Sequence, residues 1–155
     1  MIEGDASPTE NTAARRRWMG VLARANVDEI AARLRHAPPL PQHTRLRGPE
    51  IGLAMVRGRQ GGDGAPFNLG EMTVTRCAAG VGGARIGHGY VAGRDKEKAE
   101  LAAVLDAALQ DPALRDALLD AVVEPLAAAQ AERAAATARK AAATRVDFST
   151  LAVMR

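Results

Sequence analysis

Apolar and polar positions along this chain change period several times, and each change marks an element. The sharpest change falls between Gly70 and Leu109. Met72, Val74 and Arg76 alternate with Thr73, Thr75 and Cys77, the period of a strand with two different faces. Val81-Gly82-Gly83 is a turn signal, because paired glycines supply the positive φ that hairpin turns require. Ile86-Gly87-His88-Gly89-Tyr90-Val91 gives a second strand, thinned by glycine. Past Gly93-Arg94-Asp95 the period becomes helical. Leu101, Val104, Leu105, Ala108 and Leu109 sit at i, i+3, i+4, i+7 and i+8, a single apolar stripe. Asp95 stands where an N-cap belongs. The expected unit is a hairpin, a sharp corner and a helix laid back across the sheet.

The rest of the chain is read around that unit. Residues 1–9 are polar and expected to be a flexible N-terminus. A helix is expected from Thr9 or Glu10, with Trp18, Val21, Leu22 and Ala25 as its inner face and Arg15–Arg17 on a solvated face. Asn26 to Glu29 has the form of a capping box and opens a short second helix through Val27, Ile30, Ala31 and Leu34. Pro38, Pro39 and Pro41 end it, because proline cannot sustain helical hydrogen bonding. Thr44–Arg47 and Glu50–Arg57 read as two strands separated by Gly48-Pro49, and the stretch from Gly58 to Pro66 is a loop. Asp111-Pro112 caps another helix, and Glu124-Pro125 is expected to restart a further one. From Ala127 to Thr144 the chain has no large apolar residue, yet alanine's propensity should keep it helical. The sequence then turns apolar over Val146–Val153, so an arm over residues 126–155 ends in a greasy patch. That patch either folds back onto its own sheet or reaches into another subunit. The architecture expected is α+β: a helical pair, an antiparallel meander of about four strands, and C-terminal helices on one face, forming one domain over residues 10–155.

Composition narrows the picture. At 155 residues the chain is long enough to bury roughly 68–70% of its unfolded surface. Only 3% of it is aromatic, so the core must be built from aliphatic residues and much alanine. A core so short of large side chains is suited to completion by a partner. The formal charge of +3 favours acidic or phosphorylated partners weakly. A single cysteine, Cys77, rules out an internal disulfide and fits a reducing cytoplasm. No run of about 18 apolar residues offers a membrane span.

Candidate chemistry is sparse. The Gly58–Gly64 loop lacks the Gly-Lys-Ser/Thr ending of a phosphate-binding P-loop. His36, His43, Cys77 and His88 fall in different elements without metal-ligand spacing. His88, between two glycines, is better explained by close backbone approach of a neighbouring element. Neither serine, Ser7 nor Ser149, is placed for nucleophilic catalysis. Arg57, Arg59, Arg76, Arg85 and Arg94 lie near loops and hairpin ends, where guanidinium forks suit a phosphate or a carboxylate. Of these, Arg57, Arg59, Arg76 and Arg94 are the candidate anion contacts.

Read together, several stretches resemble one family. They are Arg-Trp-Met-Gly-Val-Leu-Ala at 17–23, Pro-Glu-Ile-Gly-Leu-Ala-Met-Val-Arg-Gly-Arg at 49–59, and the run from Gly61 to Cys77. Gly-His-Gly-Tyr-Val-Ala-Gly-Arg-Asp-Lys at 87–96 and Thr-Arg-Val-Asp-Phe at 144–148 follow in the same order. The chain resembles the PhnG subunits of the bacterial carbon–phosphorus lyase system across nearly its whole length. The resemblance implies an accessory subunit of a symmetric core complex with PhnH, PhnI, PhnJ and a second copy of itself. An ATP-binding-cassette-like protein would associate with that complex. The implied reaction displaces adenine from MgATP with a phosphonate to give a ribose 1-phosphonate 5-triphosphate. Iron–sulfur and SAM chemistry would lie on a partner, leaving this chain no cofactor, metal or catalytic residue of its own. On the same resemblance, Gly93, Arg94, Asp95, Arg145, Val146, Asp147 and Phe148 are candidates for folding or subunit contact. A different class remains open from the residues alone: a helix-turn-helix-like DNA-binding regulator using residues 15–36.

Overall fold

The structure, a computed structural model, describes residues 8–146, with side chains from Asn11 onward. Helix α1 spans Pro8–Arg24 and α2 Val27–Leu34; strands β1 (His43–Arg59), β2 (Pro66–Val81) and β3 (Arg85–Ala92) follow. Helix α3 covers Lys96–Leu109 and α4 Pro112–Leu118; a π-helical turn over Leu119–Val123 leads into α5, Glu124–Ala143. The strands form one antiparallel sheet in the order β1-β2-β3. The fold is α+β and the connection is a meander, but the sheet has three strands rather than four.

The strand count differs for a local reason. Gly48-Pro49 does not break the strand; it is taken up as a register irregularity between Arg47 and Glu50. Proline removes one ladder donor and sits at a bulge on an edge strand, where that loss is tolerated. The two expected strands are therefore one 17-residue β1.

Helix α3 is the middle of the molecule, and both of its sides are buried. Its alanines meet the sheet: a Cβ built on Gly89 would lie 1.9 Å from the carbonyl oxygen of Ala99, and one on Gly87 2.0 Å from that of Ala103. Glycine is required at both positions because helix backbone occupies the space a side chain would need. The other side carries Leu105 and Leu109 into a cluster with Trp18, Leu22 and Ile30 from α1 and α2 and Leu118, Val122 and Leu126 from the C-terminal helices. The expected leucine stripe thus packs on helices, while the alanines Ala99 and Ala103 face Cys77, Ala79 and Val91 of the sheet.

Three caps behave as the sequence predicts. Asp95 Oδ1 accepts from the Lys98 N–H at 2.9 Å, and Asp111 Oδ1 from Ala113 at 3.1 Å. Glu29 accepts the Asn26 N–H at 3.2 Å, the reciprocal half of a capping box. Glu124-Pro125, by contrast, does not start a separate helix. The Glu124 N–H bonds Leu119 O, five residues back, so the helix widens by a π turn and continues. That widening accommodates the proline ring, which would otherwise press on the carbonyl four residues earlier. From Ala131 onward α5 is almost wholly exposed, and its ion pair with α2 is Arg133 to Glu29 at 2.7 Å. The alanine-rich arm is helical as far as Ala143. The apolar patch expected beyond it lies outside the described residues from Asp147 on, and so does most of the expected flexible N-terminus.

The Arg15–Arg17 run is not simply a solvated face. Arg17 makes a two-pronged contact with Glu124, at 2.6 and 2.8 Å, and Arg15 reaches a buried carboxylate on α3. Sequence pattern alone cannot see a carboxylate on another helix.

Two outcomes test this packing. Gly89→Ala should lower the unfolding free energy in urea by about 3 kcal/mol, at the upper end for overpacking, since the new methyl group meets backbone. Hydrogen bonds from Arg45, Arg17 and Arg133 hold Glu100, Glu124 and Glu29 below the ordinary carboxylate range. Their folded values are depressed, so the stability they add is present above the ordinary carboxylate value and disappears as pH falls through the lower folded values. Glu100→Gln should therefore flatten the acid limb of a plot of stability against pH by lowering the neutral plateau modestly, while stability at the acid end stays nearly unchanged.

Candidate functional site

Gly93, Arg94 and Asp95 form the corner that carries the chain from β3 into α3. Gly93 has φ of 88°, which glycine adopts without strain. Its N–H donates to Thr73 O at 2.9 Å, and its own carbonyl accepts the Thr75 hydroxyl at 2.7 Å. With Asp95 capping α3, the corner is pinned on both sides, and Thr75 is fully buried. Arg145 and Val146 follow α5, with Val146 68% exposed, while Asp147 and Phe148 lie outside the described residues.

The candidate anion contacts do not share one place. Arg57 and Arg59 stand at the tip of the β1–β2 hairpin, where Arg59 donates to Gly64 O at 3.0 Å. Arg76 lies ten residues further along β2 than Pro66, about 33 Å at strand rise, within 3.7 Å of Glu50. Arg94 is exposed at the corner. Arg85 pairs with Asp111 at 3.2 Å, on the helical side. Nearness to loops in sequence does not gather them.

Histidine and cysteine also find structural places. The His88 side chain is exposed, but its backbone N–H is bound, and the flanking glycines are there for α3. Cys77 is buried at 3% exposure, its thiol donates to Arg47 O at 3.2 Å, and burial pushes its pKa up. A thiol so placed is a poor source of thiolate.

Sequence reasoning missed Asp106. It is completely buried in α3 and accepts four hydrogen bonds. Arg15 supplies two, Nε to Oδ1 at 3.1 Å and Nη2 to Oδ2 at 2.7 Å. The Trp18 indole gives the third at 2.9 Å and the His88 backbone N–H the fourth, also at 2.9 Å. The available signal was an aspartate in the middle of the apolar run Leu101–Leu109, since a buried charge must be paired. The same arrangement weakens the helix-turn-helix reading. Arg15 and Arg17 are held by carboxylates of their own chain, and α1 and α2 are joined through Ala25 and Asn26 alone, shorter than the usual turn.

The most distinctive surface is the hairpin itself. Beyond the corner, β1 and β2 run on for about 24 Å past α3, and no residue from Ile51 to Met72 is buried. Leu53 is 63% exposed, Met55 52%, Leu69 67% and Phe67 47%. By register, Ile51, Leu53 and Met55 pair with Thr75, Thr73 and Glu71, and so continue the face that α3 covers further down. The opposite sheet face also exposes Leu46, Ile86 and Tyr90, although Val74 on it is buried. Contiguous exposed apolar surface of this kind marks an interaction site.

Comparison with known proteins decides the family. The model of the family described as phosphonate metabolism protein PhnG matches residues 13–153. The chain belongs to the PhnG family. A relative from Rhizobium meliloti (strain 1021), named alpha-D-ribose 1-methylphosphonate 5-triphosphate synthase subunit PhnG, is 43% identical over 150 residues. That match covers 95% of this chain and 96% of the relative. The PhnG match takes in the exposed hairpin, the Gly93 corner and Asp106 alike. Among the described residues no helix is long and apolar enough to cross a membrane.

In native protein Cys77 should react with iodoacetamide at least tenfold more slowly than in urea-unfolded protein, followed by intact mass. Equal rates in the two states would mean that the thiol is accessible.

Proposed function

We propose that this chain is an accessory subunit of a ribose 1-methylphosphonate 5-triphosphate synthase, and that a partner subunit buries its β1–β2 hairpin. The observation that carries the reading is the near-full-length similarity to a relative named as a subunit of that synthase. The physical form of the molecule supports it. Leaving side chains such as Leu53, Leu69 and Phe67 about half exposed forgoes roughly half of the 1.5–3 kcal/mol that full burial of a large apolar side chain contributes. A chain already short of bulky core residues would recover that energy by association.

In the reaction proposed for the assembled enzyme, a phosphonate oxygen attacks the anomeric carbon of MgATP's ribose. The bond from that carbon to adenine breaks, and adenine leaves as the ribose 1-phosphonate 5-triphosphate forms. The reacting groups belong to the partners, among them PhnI, PhnJ and PhnH, with an ATP-binding-cassette-like protein associated and a second copy of this chain present. Iron–sulfur and SAM chemistry is assigned to a partner in the cytoplasm. The chain's own enclosed reactive groups agree with a supporting role, because Cys77 is held as a thiol and Asp106 is saturated by internal donors.

The test combines capture and turnover. Tagged wild-type chain, co-expressed with its gene neighbours, should retain partners that the double variant Leu53→Glu, Leu69→Glu loses by at least tenfold. The variant's own unfolding free energy should stay within about 0.5 kcal/mol, as for surface substitutions. Undiminished capture would remove the hairpin from the interface. Adenine release from MgATP and methylphosphonate should require the complex, and release by the purified chain alone would overturn the accessory role.

A further inference from the structure

A polar pocket of about 360 Å³ opens beside Asp106, where the first turns of α1, the start of β3 and the α3–α4 corner meet. Asn11, Thr12, Arg15, Arg85, Gln110 and Arg115 line it. Three arginines from three separate stretches of chain therefore converge here, a grouping that the sequence order does not display.

Each guanidinium is held from behind by its own chain. Arg15 is fixed by Asp106, and its Nη2 also donates to Ile86 O at 3.2 Å. Arg85 Nη1 lies 3.2 Å from Asp111 Oδ2. Arg115 Nε donates to Leu109 O at 2.9 Å, at the C-terminal end of α3. These contacts engage only part of the five donors that each guanidinium carries. The Nη1 groups of Arg15 and Arg115 make no hydrogen bond among the described residues. Three guanidinium groups face two carboxylates, so the pocket keeps a positive balance.

We propose that this pocket binds a phosphate-like oxyanion. The geometry favours a tetrahedral anion over a carboxylate. A planar carboxylate is satisfied by one fork, whereas three guanidinium groups supplied by three separate stretches of chain offer donors enough for the several oxygens of a tetrahedral anion. The volume sits at the lower end of ordinary ligand sites, which suits a phosphate or a phosphonate with a small substituent. Preorganisation matters because arginines already held in place lose little freedom on binding. Arg15 and Arg85 are each 34% exposed, so binding should weaken as salt rises. The inference is read from this chain's residues alone and stands whether or not the assembly proposed above is correct.

The experiment is a titration of full-length ¹⁵N-labelled chain at constant ionic strength with phosphate, methylphosphonate or chloride. The arginine Nε–H and Trp18 indole resonances are the probes. Phosphate or methylphosphonate should give saturable shifts at Arg15, Arg85 and Arg115, and the tighter of the two identifies which anion the pocket prefers. Arg115→Met and Arg85→Met should each weaken binding at least tenfold while thermal unfolding stays cooperative. Neither substitution touches the Asp106 hydrogen bonds. Shifts of the same size with chloride would overturn the proposal. So would phosphate binding that both variants retain at wild-type strength.

Discussion

The buried carboxylate of Asp106 joins the three parts of this fold. It lies in α3, takes two hydrogen bonds from Arg15 and one from Trp18 on α1, and one from the His88 backbone on β3. A charge with no exposure to water is tolerated only when its lone pairs are filled, and here α1 and β3 supply the donors. Such a node adds little net stability over a well-packed apolar alternative. Its importance lies in specificity: removing one partner of a buried pair typically costs about 3–5 kcal/mol, so α1 and β3 are held to one register against α3. The Arg15 that completes the node also enters the polar pocket beside it, so one contact orders the helices and presents a guanidinium outward.

The second constraint is distance. Helix α3 rests on β3 at backbone contact, which only glycine at 87 and 89 permits. Alanines on the helix allow the same approach from the other side. This is how a chain with few large side chains forms an interior: it brings backbones close and reserves leucine, isoleucine and tryptophan for the helical cluster. At 14 residues, about 21 Å, α3 is also much shorter than strands of 16 and 17 residues. The distal half of the β1–β2 hairpin extends beyond α3 with its apolar residues uncovered.

Those two features give the molecule a division of labour suited to a subunit of the PhnG family. The part near α3 has, among the described residues, no buried side-chain polar atom left without a partner, and its cysteine is shielded. The hairpin and the exposed end of α5 reach away from it in chemically different forms. One is an apolar ribbon, whose burial would be driven by the hydrophobic effect. The other is a rod of alanine, glutamate, arginine and lysine that alanine's intrinsic propensity holds helical.

Local chemistry was written in the sequence. The N-caps at Asp95 and Asp111, the Gly93 corner, the inner face of α1 through Trp18, Val21, Leu22 and Ala25, and the long alanine helix all depend on residues within a few positions of one another. Period and propensity report such things directly. Family membership was legible for the same reason, as short runs in a fixed order. What only the tertiary structure decided were relations between distant residues. Arg15 lies 91 residues from Asp106, and its place among solvent-facing arginines or at a buried carboxylate depends on how helices cross. The merging of two strands at Gly48-Pro49 and the continuation of the helix through Glu124-Pro125 were also settled by neighbours. In each case surrounding contacts outweighed a local breaking signal worth a few kcal/mol. The convergence of Arg15, Arg85 and Arg115 belongs to the same class, because no sequence period links three turns that meet only when α3 lies down on the sheet.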